Sequence, residues 1–475
     1  MFDYKKIKNK FNFVSAILLL LFIINFILFA HIDIAIIGTG AFVVSEGNIL
    51  NFYDESVKNN LPQSYPIPTF LIYGLWNKIG MLLGLIQNPG GPLTGFYSLW
   101  YKILTLIFYI LTFFEIKNIF KQNKICKINN KNIVLYLFSS PWITFSVIIF
   151  SQVDILGIYF FVLGLKFLFK NKVTLGSLII GLSFSFKPFL ILAFMPIILS
   201  FEKNIFKIIK TVILSLAPYL IISLLYLNSQ GYITHVIGFG ALKKVLMPNI
   251  SGTKILILPF LYLLIFSYIY VFFKKNNFAL IFFSISLCYG ILFSLIDFYP
   301  QWLIYFGIFF SLTCIFLRFK TLIFIFESFS FYLYLSYIVN YFKGNVDNML
   351  ITWGPFNSRV AAEISMNNFF VGKILANEIS FSLFGGSLIF LLILAYYFIT
   401  NINNKKRAFI KELSLNDIIK LRFLVAFTFF LLPASLCIAP LKMKLLFSFI
   451  TLASIIFILN DVFKKKSQFF QSNYK

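Results

Sequence analysis

Two polar interruptions of a long apolar stretch, Ser140–Pro196, are the first residues that could do chemistry. The run Ser151–Asp154 supplies an amide and a carboxylate, and Lys187 later places an ammonium group between two apolar runs. A charged side chain inside a bilayer costs about 2.5–3.5 kcal/mol on insertion scales, so such residues commonly mark functional sites. Together these groups predict a binding site for a charged, hydroxyl-rich molecule.

Further polar residues collect on one predicted face of the membrane, at the outer ends of helices and in outer loops. They are Asp33, Asp54, Glu55, Gln152, Asp154, Lys187, His235, Lys243, Lys244, Asp297, Gln301 and Arg359. The sequence contains neither a GxxxxGK[ST] loop nor a strand-linked GxGxxG turn, which would cradle a nucleotide. An enzyme with this site would therefore need a substrate already activated on a lipid.

Structural interpretations of the same residues stay open. Asp33 could be a solvated carboxylate at a helix end, and Asp54 and Glu55 could be surface charges in a polar loop. Asp154 could cap the N-terminus of the next helix. Lys187 could extend its ammonium group to the outer interface.

The elements that must position these residues are apolar helices. The chain has 475 residues, 60% of them hydrophobic and 20% aromatic, which predicts an all-α polytopic membrane protein. Its net charge of +25 comes from lysines clustered beside the apolar runs, as in cytoplasmic loops, and no nucleic-acid partner is expected. The four cysteines are isolated, so neither a disulfide framework nor a zinc site is expected.

The alternation of these basic clusters predicts about 12–14 transmembrane helices in one domain, residues 1–475, with both termini in the cytoplasm. The first apolar run is expected to be a retained signal anchor, because FAHIDIA is a poor cleavage site. Outer loops are predicted at 31–95 and 340–380, and a C-terminal helical hairpin at 423–460. The expected location is the bacterial cytoplasmic membrane.

Two departures from simple alternation are predicted. If Pro66–Leu85 crossed the membrane, the lysine-rich loop Lys117–Lys131 would lie outside, against the positive-inside rule. We therefore expect Pro66–Leu85 to be an interfacial or half-inserted helix on the outer face. The second departure is a pair of short helices, Val173–Phe186 and Pro188–Phe201, which meet at Lys187.

Several segments resemble those of bacterial GT-C-type membrane glycosyltransferases, in the order expected for that family. SPWITFSVIIFSQVDILG resembles its P…GQxD segment, although Ser151 stands where glycine is usual. GLSFSFKPFLILAFMP resembles the segment that follows, and the loop starting HIDIAIIGTG and the FYPQW of Gln301 and Trp302 are also similar. The resemblance implies a GT-C-like helical bundle with outer-face loops and juxtamembrane helices.

Enzymes of that family transfer a sugar from a polyprenyl-phosphate donor to a lipid- or glycan-linked acceptor on the outer face, commonly with inversion. The sugar here would be mannose or another hexose or pentose. In the family, the acidic residue just after the first helix acts as the base, and Asp33 occupies that place. The resemblance thus implies that Asp33 deprotonates the acceptor hydroxyl. Lys187 is the expected cation for the leaving phosphate.

The other candidates are expected to bind the substrates around that centre. Gln152 and Asp154 would orient hydroxyl groups, and His235 would bind phosphate. The full set of expected substrate-binding residues is Asp54, Glu55, Gln152, Asp154, Lys187, His235, Lys243, Gln301, Trp302 and Arg359. No cofactor is expected and no metal ligand is assigned, although a divalent metal could lie between carboxylates.

Two other functions stay open. A flippase or transporter of lipid-linked saccharides would predict broken helices in matching halves, and the sequence shows one broken pair, at Lys187, without a counterpart in the second half. A polysaccharide polymerase would be expected to concentrate arginines in a late outer loop, where 340–380 offers only Arg359. The expected partners are a lipid-linked sugar donor, an acceptor and the bilayer.

Overall fold

A computed structural model describes most of the chain. The described residues are 13–88, 95–123, 130–239, 256–273, 277–342, 346, 348–352, 354, 370, 377–400, 412–438 and 441–472. Helices account for all the elements in these residues, as predicted for an all-α protein. Among the expected site residues, Lys243 and Arg359, and with them Lys244, lie outside the described residues.

The helices of the first half surround the polar interruptions described above. They are α1 Phe13–Leu28, α2 Ile32–Ser45, α3 Phe52–Lys58, α4 Ile67–Leu82, α5 Phe96–Gln122, α6 Asn130–Phe138, α7 Pro141–Ile149, α8 Ile155–Phe169, α9 Val173–Phe184, α10 Pro188–Phe201, α11 Ile205–Leu224 and α12 Gln230–Tyr232. The first turn of α10 is a 3-10 helix, and α7 ends in the π-helical turn Phe145–Ile149. A π-helical turn, Ile233–Ile237, also continues α12.

The helices of the second half complete the bundle. They are α13 Ile257–Phe272, α14 Phe278–Leu295, α15 Pro300–Phe316, α16 Lys320–Tyr341, α17 Asn348–Thr352, α18 Asn377–Thr400, α19 Leu415–Cys437 and α20 Leu441–Ser472. The helix α15 opens with the 3-10 turn Pro300–Trp302, which presents the predicted residues Gln301 and Trp302.

The described helices are those of a multi-pass membrane protein. Seven of them are long and apolar enough to cross a bilayer, and nine spans result if each of two bent helix pairs counts as one. Five shorter apolar helices accompany them, and two of the five, α9 and α10, are the pair that the sequence predicted as short. The predicted total of about 12–14 spans stays a prediction, because length and composition alone identify seven to nine.

Three helix breaks lie near the polar residues. The chain bends by 60° between α1 and α2, just before Asp33, and by 58° between α6 and α7. The third break separates α9 from α10 at Lys187, where the sequence predicted one. Breaks in apolar helices free backbone groups that must find partners away from water.

Close packing fixes α2 against two neighbouring helices. Gly38 lies so near the ring of Tyr101 that a Cβ atom there would come within 2.2 Å of it. On the other side, Asn77 of α4 donates a hydrogen bond of 3.0 Å to the carbonyl of Gly38. The predicted helix at Pro66–Leu85 is therefore present as α4, and it packs on α2. Its depth in the membrane stays a prediction.

The predicted C-terminal hairpin is present, but its first helix begins earlier than expected. The helices α19, Leu415–Cys437, and α20, Leu441–Ser472, pack against each other, whereas the prediction placed the hairpin at 423–460. Arg422 lies in the part of α19 that precedes the predicted hairpin, and it is fully buried. Its guanidinium makes a bidentate ion pair with Glu327 at 2.7 and 2.9 Å.

Candidate functional site

A cavity of 330 Å³ opens where the breaks before α2 and α10 meet the start of α15. The side chains with chemistry that line it are His31, Asp33, Tyr65, Lys187, Gln301 and Trp302. Four of these, Asp33, Lys187, Gln301 and Trp302, are residues that the sequence selected, although they are spread over 270 positions of the chain. The structure brings them together at one end of the helical bundle.

Asp33 is held in the first turn of α2 with its carboxylate toward the cavity. Its Oδ2 atom accepts a hydrogen bond of 3.1 Å from Gln301 Nε2, and its side chain is 32% exposed. The imidazole of His31 caps α2, because Nδ1 accepts a hydrogen bond from the Asp33 amide at 3.3 Å. The same Nδ1 lies 3.3 Å from Asp33 Oδ1.

The ammonium group of Lys187 enters the cavity between two aromatic rings. Its Nζ atom lies 4.3 Å from the ring centre of Tyr65 and 5.3 Å from that of Trp302, both within cation–π distance. The Asp154 carboxylate is 3.6 Å away, and the Lys187 side chain is only 12% exposed. This environment fixes the position of the charge, whereas a lysine at a free interface would move.

Gln152 and Asp154 lie behind the residues that line the cavity. Gln152 Nε2 donates a hydrogen bond of 3.1 Å to the hydroxyl of Tyr65. Asp154 is fully buried and makes no capping hydrogen bond to α8, so the predicted capping role is not observed. Its partner is Lys187. Both residues therefore orient groups of the cavity wall, whereas the sequence expected them to contact substrate hydroxyls.

The phenol of Tyr65 stays protonated in this setting. Burial raises its pKa well above the usual range, and the negative charges of Asp154 and Asp33 raise the pKa further. The phenol hydroxyl therefore remains a hydrogen-bond donor at neutral pH. Tyr65 precedes α4, and no feature of the sequence selected it.

Ser151 explains how the chain turns into this arrangement. Its φ of 67° lies in the left-handed region that favours glycine. The turn follows the π-helical end of α7 and precedes Gln152, whose side chain donates to Tyr65. Glycine would adopt this backbone without the strain that a side chain brings.

Lys102 is a residue of the site region that the sequence analysis missed. It is fully buried in α5, and its ammonium donates hydrogen bonds to three carbonyls, those of Phe26, Phe29 and Ile148. The Phe26 carbonyl lies in the last turn of α1, the Phe29 carbonyl in the break before Asp33, and the Ile148 carbonyl in the π-helical turn before Gln152. A lone lysine inside an apolar run was the criterion that selected Lys187, and it would have selected Lys102 as well.

Other predicted residues lie away from the cavity. Asp54 accepts a hydrogen bond of 2.9 Å from the amide of Gly231, which ties α3 to α12. Glu55 pairs with Lys58 at 2.7 Å on the surface, and this contact raises the pKa of Lys58. His235 lies half-buried in the π-helical turn after α12 and does not line the cavity.

The cavity offers the groups needed for acid–base and anion chemistry. It combines one accessible carboxylate, one fixed ammonium group and the Oε1 atom of Gln301, which is buried and has no hydrogen-bond partner among the described residues. No group of three or more His, Cys, Asp or Glu side chains suited to a metal ion occurs in the described part of the chain. Comparisons with protein-family models, curated proteins and solved structures find no match to this chain.

Proposed function

We propose that the protein is a GT-C-type membrane glycosyltransferase that transfers a hexose or pentose from a polyprenyl-phosphate donor to a lipid- or glycan-linked acceptor. The observation that carries the proposal is a single cavity that contains both the Asp33 carboxylate and the Lys187 ammonium group. Transfer from a phosphate-linked donor needs a base at the attacking hydroxyl and a cation at the leaving phosphate. The two groups supply these roles at the end of an apolar bundle.

Asp33 is the proposed general base. Its carboxylate takes the proton of the acceptor hydroxyl while the hydroxyl oxygen forms a bond to the anomeric carbon of the donor sugar. Gln301 and His31 keep the carboxylate in place, because one donates to Oδ2 and the other caps the helix turn that carries Asp33. The free Oε1 atom of Gln301 is available to a sugar or acceptor hydroxyl.

Lys187 is the proposed partner of the leaving group. The bond between the anomeric carbon and the phosphate oxygen breaks, and the electron pair stays with the polyprenyl phosphate. The ammonium group stabilises this developing charge, and its side chain is only 12% exposed to screening by water. Asp154 lies behind Lys187 as a fixed counter-ion, so the ammonium is oriented before the donor arrives.

The test is sugar transfer from radiolabelled polyprenyl-phosphate sugars in membranes that contain equal amounts of each variant. Asp33→Asn should lower the turnover by about 10²–10⁴-fold, because it removes the base and keeps the side chain's shape. Lys187→Met should lower it by about 10²–10³-fold, the loss typical of one charge-stabilising donor. Full activity of Asp33→Asn would remove the proposed base.

Two surface variants control for the charge changes. Glu378→Gln lies in the exposed first turn of α18, and Lys78→Met lies on the exposed side of α4. Neither residue lines the cavity, so both variants should transfer sugar at the wild-type rate.

A flippase for lipid-linked saccharides is the second candidate. The breaks at α1–α2, α6–α7 and α9–α10 favour it, since broken helices form the binding sites of many transporters. A fluorescent lipid-linked saccharide in proteoliposomes separates the two functions. Movement of the lipid between leaflets without any sugar transfer would support the flippase and contradict the transferase.

A further inference from the structure

A second cavity, of 870 Å³, lies at the other end of the bundle. The helix α8 begins beside the Asp154–Lys187 pair and runs away from it to Phe169, and α9 returns from Val173 toward Lys187. The second cavity is bounded by the distant ends of both helices, with the end of α10 and the start of α11. It is therefore separate from the site proposed for sugar transfer.

Apolar and polar side chains line this cavity in comparable amounts, and three of the lining side chains are charged. Leu168, Phe169, Ile197, Phe201 and Leu214 contribute to the walls. The charged groups at the rim are Glu202, Lys207 and Lys210. Apolar and charged side chains around one cavity suit a molecule with a hydrocarbon part and an ionic head.

The rim has an excess of available positive charge. Glu202 is already engaged, because its Oε1 atom accepts hydrogen bonds from the amides of Lys203 and Asn204 at 3.0 and 2.9 Å. Lys207 lies at 4.0 Å from Glu202, the limit of an ion pair. Lys210 makes no ion pair within the described residues, so the rim, with two lysines and one glutamate, keeps one net positive charge for an anion.

The cavity borders the surface that faces lipid. The helix α11 is long and apolar enough to span a bilayer, and only 17% of its apolar window is buried. Ile209 and Ile213, on the same helix as Lys207 and Lys210, are 47% and 62% exposed. An acyl chain can therefore run along α11 from a head group held at the rim.

We infer that this cavity binds an anionic phospholipid of the bilayer, with its phosphate at Lys207 and Lys210 and an acyl chain against the apolar wall. Basic pockets between transmembrane helices are known to bind anionic lipid head groups. A free phosphate would use the lysines but leave the apolar wall empty, and a zwitterionic lipid would not match the excess positive charge. The inference is independent of the proposed sugar transfer.

The test is native mass spectrometry of the detergent-purified full chain with phosphatidylglycerol or phosphatidylcholine added. Lys207→Gln/Lys210→Gln should weaken phosphatidylglycerol binding by about 10- to 30-fold, since each lysine near the membrane surface contributes to anionic-lipid attraction. Leu214→Trp fills the apolar wall without changing any charge, and it should also weaken binding. Weaker phosphatidylglycerol binding in both variants would support the head-group contact at the lysines and the acyl-chain contact at the apolar side chains.

The control variant Lys121→Gln/Arg318→Gln removes two positive charges near the same end of the bundle, outside the cavity, and should bind like wild type. If the control loses as much phosphatidylglycerol binding as Lys207→Gln/Lys210→Gln, general surface charge explains the loss and the inference is overturned. Equal binding of phosphatidylcholine would overturn the selectivity for anionic lipids. Competition by soluble glycerol phosphate at the same concentration would overturn the role of the acyl chain.

Discussion

At the scale of single residues, Lys187 and Asp154 depend on each other. Asp154 is fully buried, and its carboxylate has no hydrogen bond from the described residues, so the ammonium at 3.6 Å is its compensating charge. Removing one member of a buried pair leaves an uncompensated charge in a medium that solvates it poorly. The same ion pair therefore stabilises the fold at the α9–α10 break and holds the Lys187 ammonium group in the cavity.

This dependence predicts a measurable coupling. Lys187→Met should destabilise the protein by about 3–5 kcal/mol, whereas Lys187→Met/Asp154→Asn should recover most of that loss because no buried charge is left unpaired. Thermal unfolding in detergent measures both, with Lys78→Met as the surface control. Equal destabilisation in the single and the double variant would show that the pair contributes no coupling.

Sequence reasoning found the residues that stand out by type within an apolar run. Asp33, Lys187 and Gln301 were selected and do meet at one cavity. The sequence did not reveal that Gln301 donates to Asp33 across 268 positions, because a contact so distant has no local pattern. It also placed Gln152 and Asp154 against the substrate, since only the fold distinguishes a lining side chain from one behind it.

At the scale of elements, Lys102 is the group that holds the site-bearing segments together. The helix break before Asp33 and the π-helical turn before Gln152 both leave carbonyls without helical partners, and one ammonium group satisfies three of them. The helix breaks themselves were only partly predictable. Pro188 marked the one at Lys187, and the outer loop predicted from residue 31 ended the first span just before Asp33, but no local signal gave the 60° angle between α1 and α2.

Lys102→Met should therefore disturb the arrangement of the cavity residues, although Lys102 does not line the cavity. The carbonyls of Phe26, Phe29 and Ile148 would lose a charged donor, at a cost of about 1.5–3 kcal/mol per hydrogen bond before relaxation. We expect a lower unfolding temperature, and a turnover number that falls more than the donor KM rises, because Asp33 and Lys187 lose their relative placement.

The matched control is Lys166→Met, which breaks a partly exposed ion pair with Glu115 in a neighbouring part of the bundle. Lys166→Met should change the unfolding temperature and the turnover number only slightly. A Lys102→Met enzyme with unchanged turnover and unfolding temperature would contradict the positioning role.

At the scale of the whole molecule, Arg422 connects four helices in the core. Besides the ion pair with Glu327, it donates to the Tyr136 carbonyl at 2.6 Å and to Ser311 Oγ at 3.1 Å. These partners lie on α6, α15 and α16, and Arg422 itself lies on α19. The C-terminal hairpin is thereby fixed to the part of the bundle that carries the cavity.

Arg422→Met should destabilise the protein by about 3–5 kcal/mol, because Glu327 would remain charged and fully buried. Arg422→Met/Glu327→Met should be markedly more stable than the single variant, since both charges are then absent. Chemical unfolding followed by tryptophan fluorescence measures the difference. A double variant no more stable than Arg422→Met would show that the hydrogen bonds to Tyr136 and Ser311 outweigh the ion pair.

The distance along the chain between Asp33 and Gln301 has a consequence for biosynthesis. At about 5–20 residues per second, a ribosome needs roughly 13–54 s to make the 268 residues between them. During that delay the nascent chain already contains Lys102 and Ile148, only 46 residues apart. Lys102 can thus hold Asp33 and Gln152 in place while the translocon inserts the part of the chain that carries Gln301. In Lys102→Met, the segments around Asp33 and Gln152 should therefore be cleaved more readily by membrane proteases during synthesis.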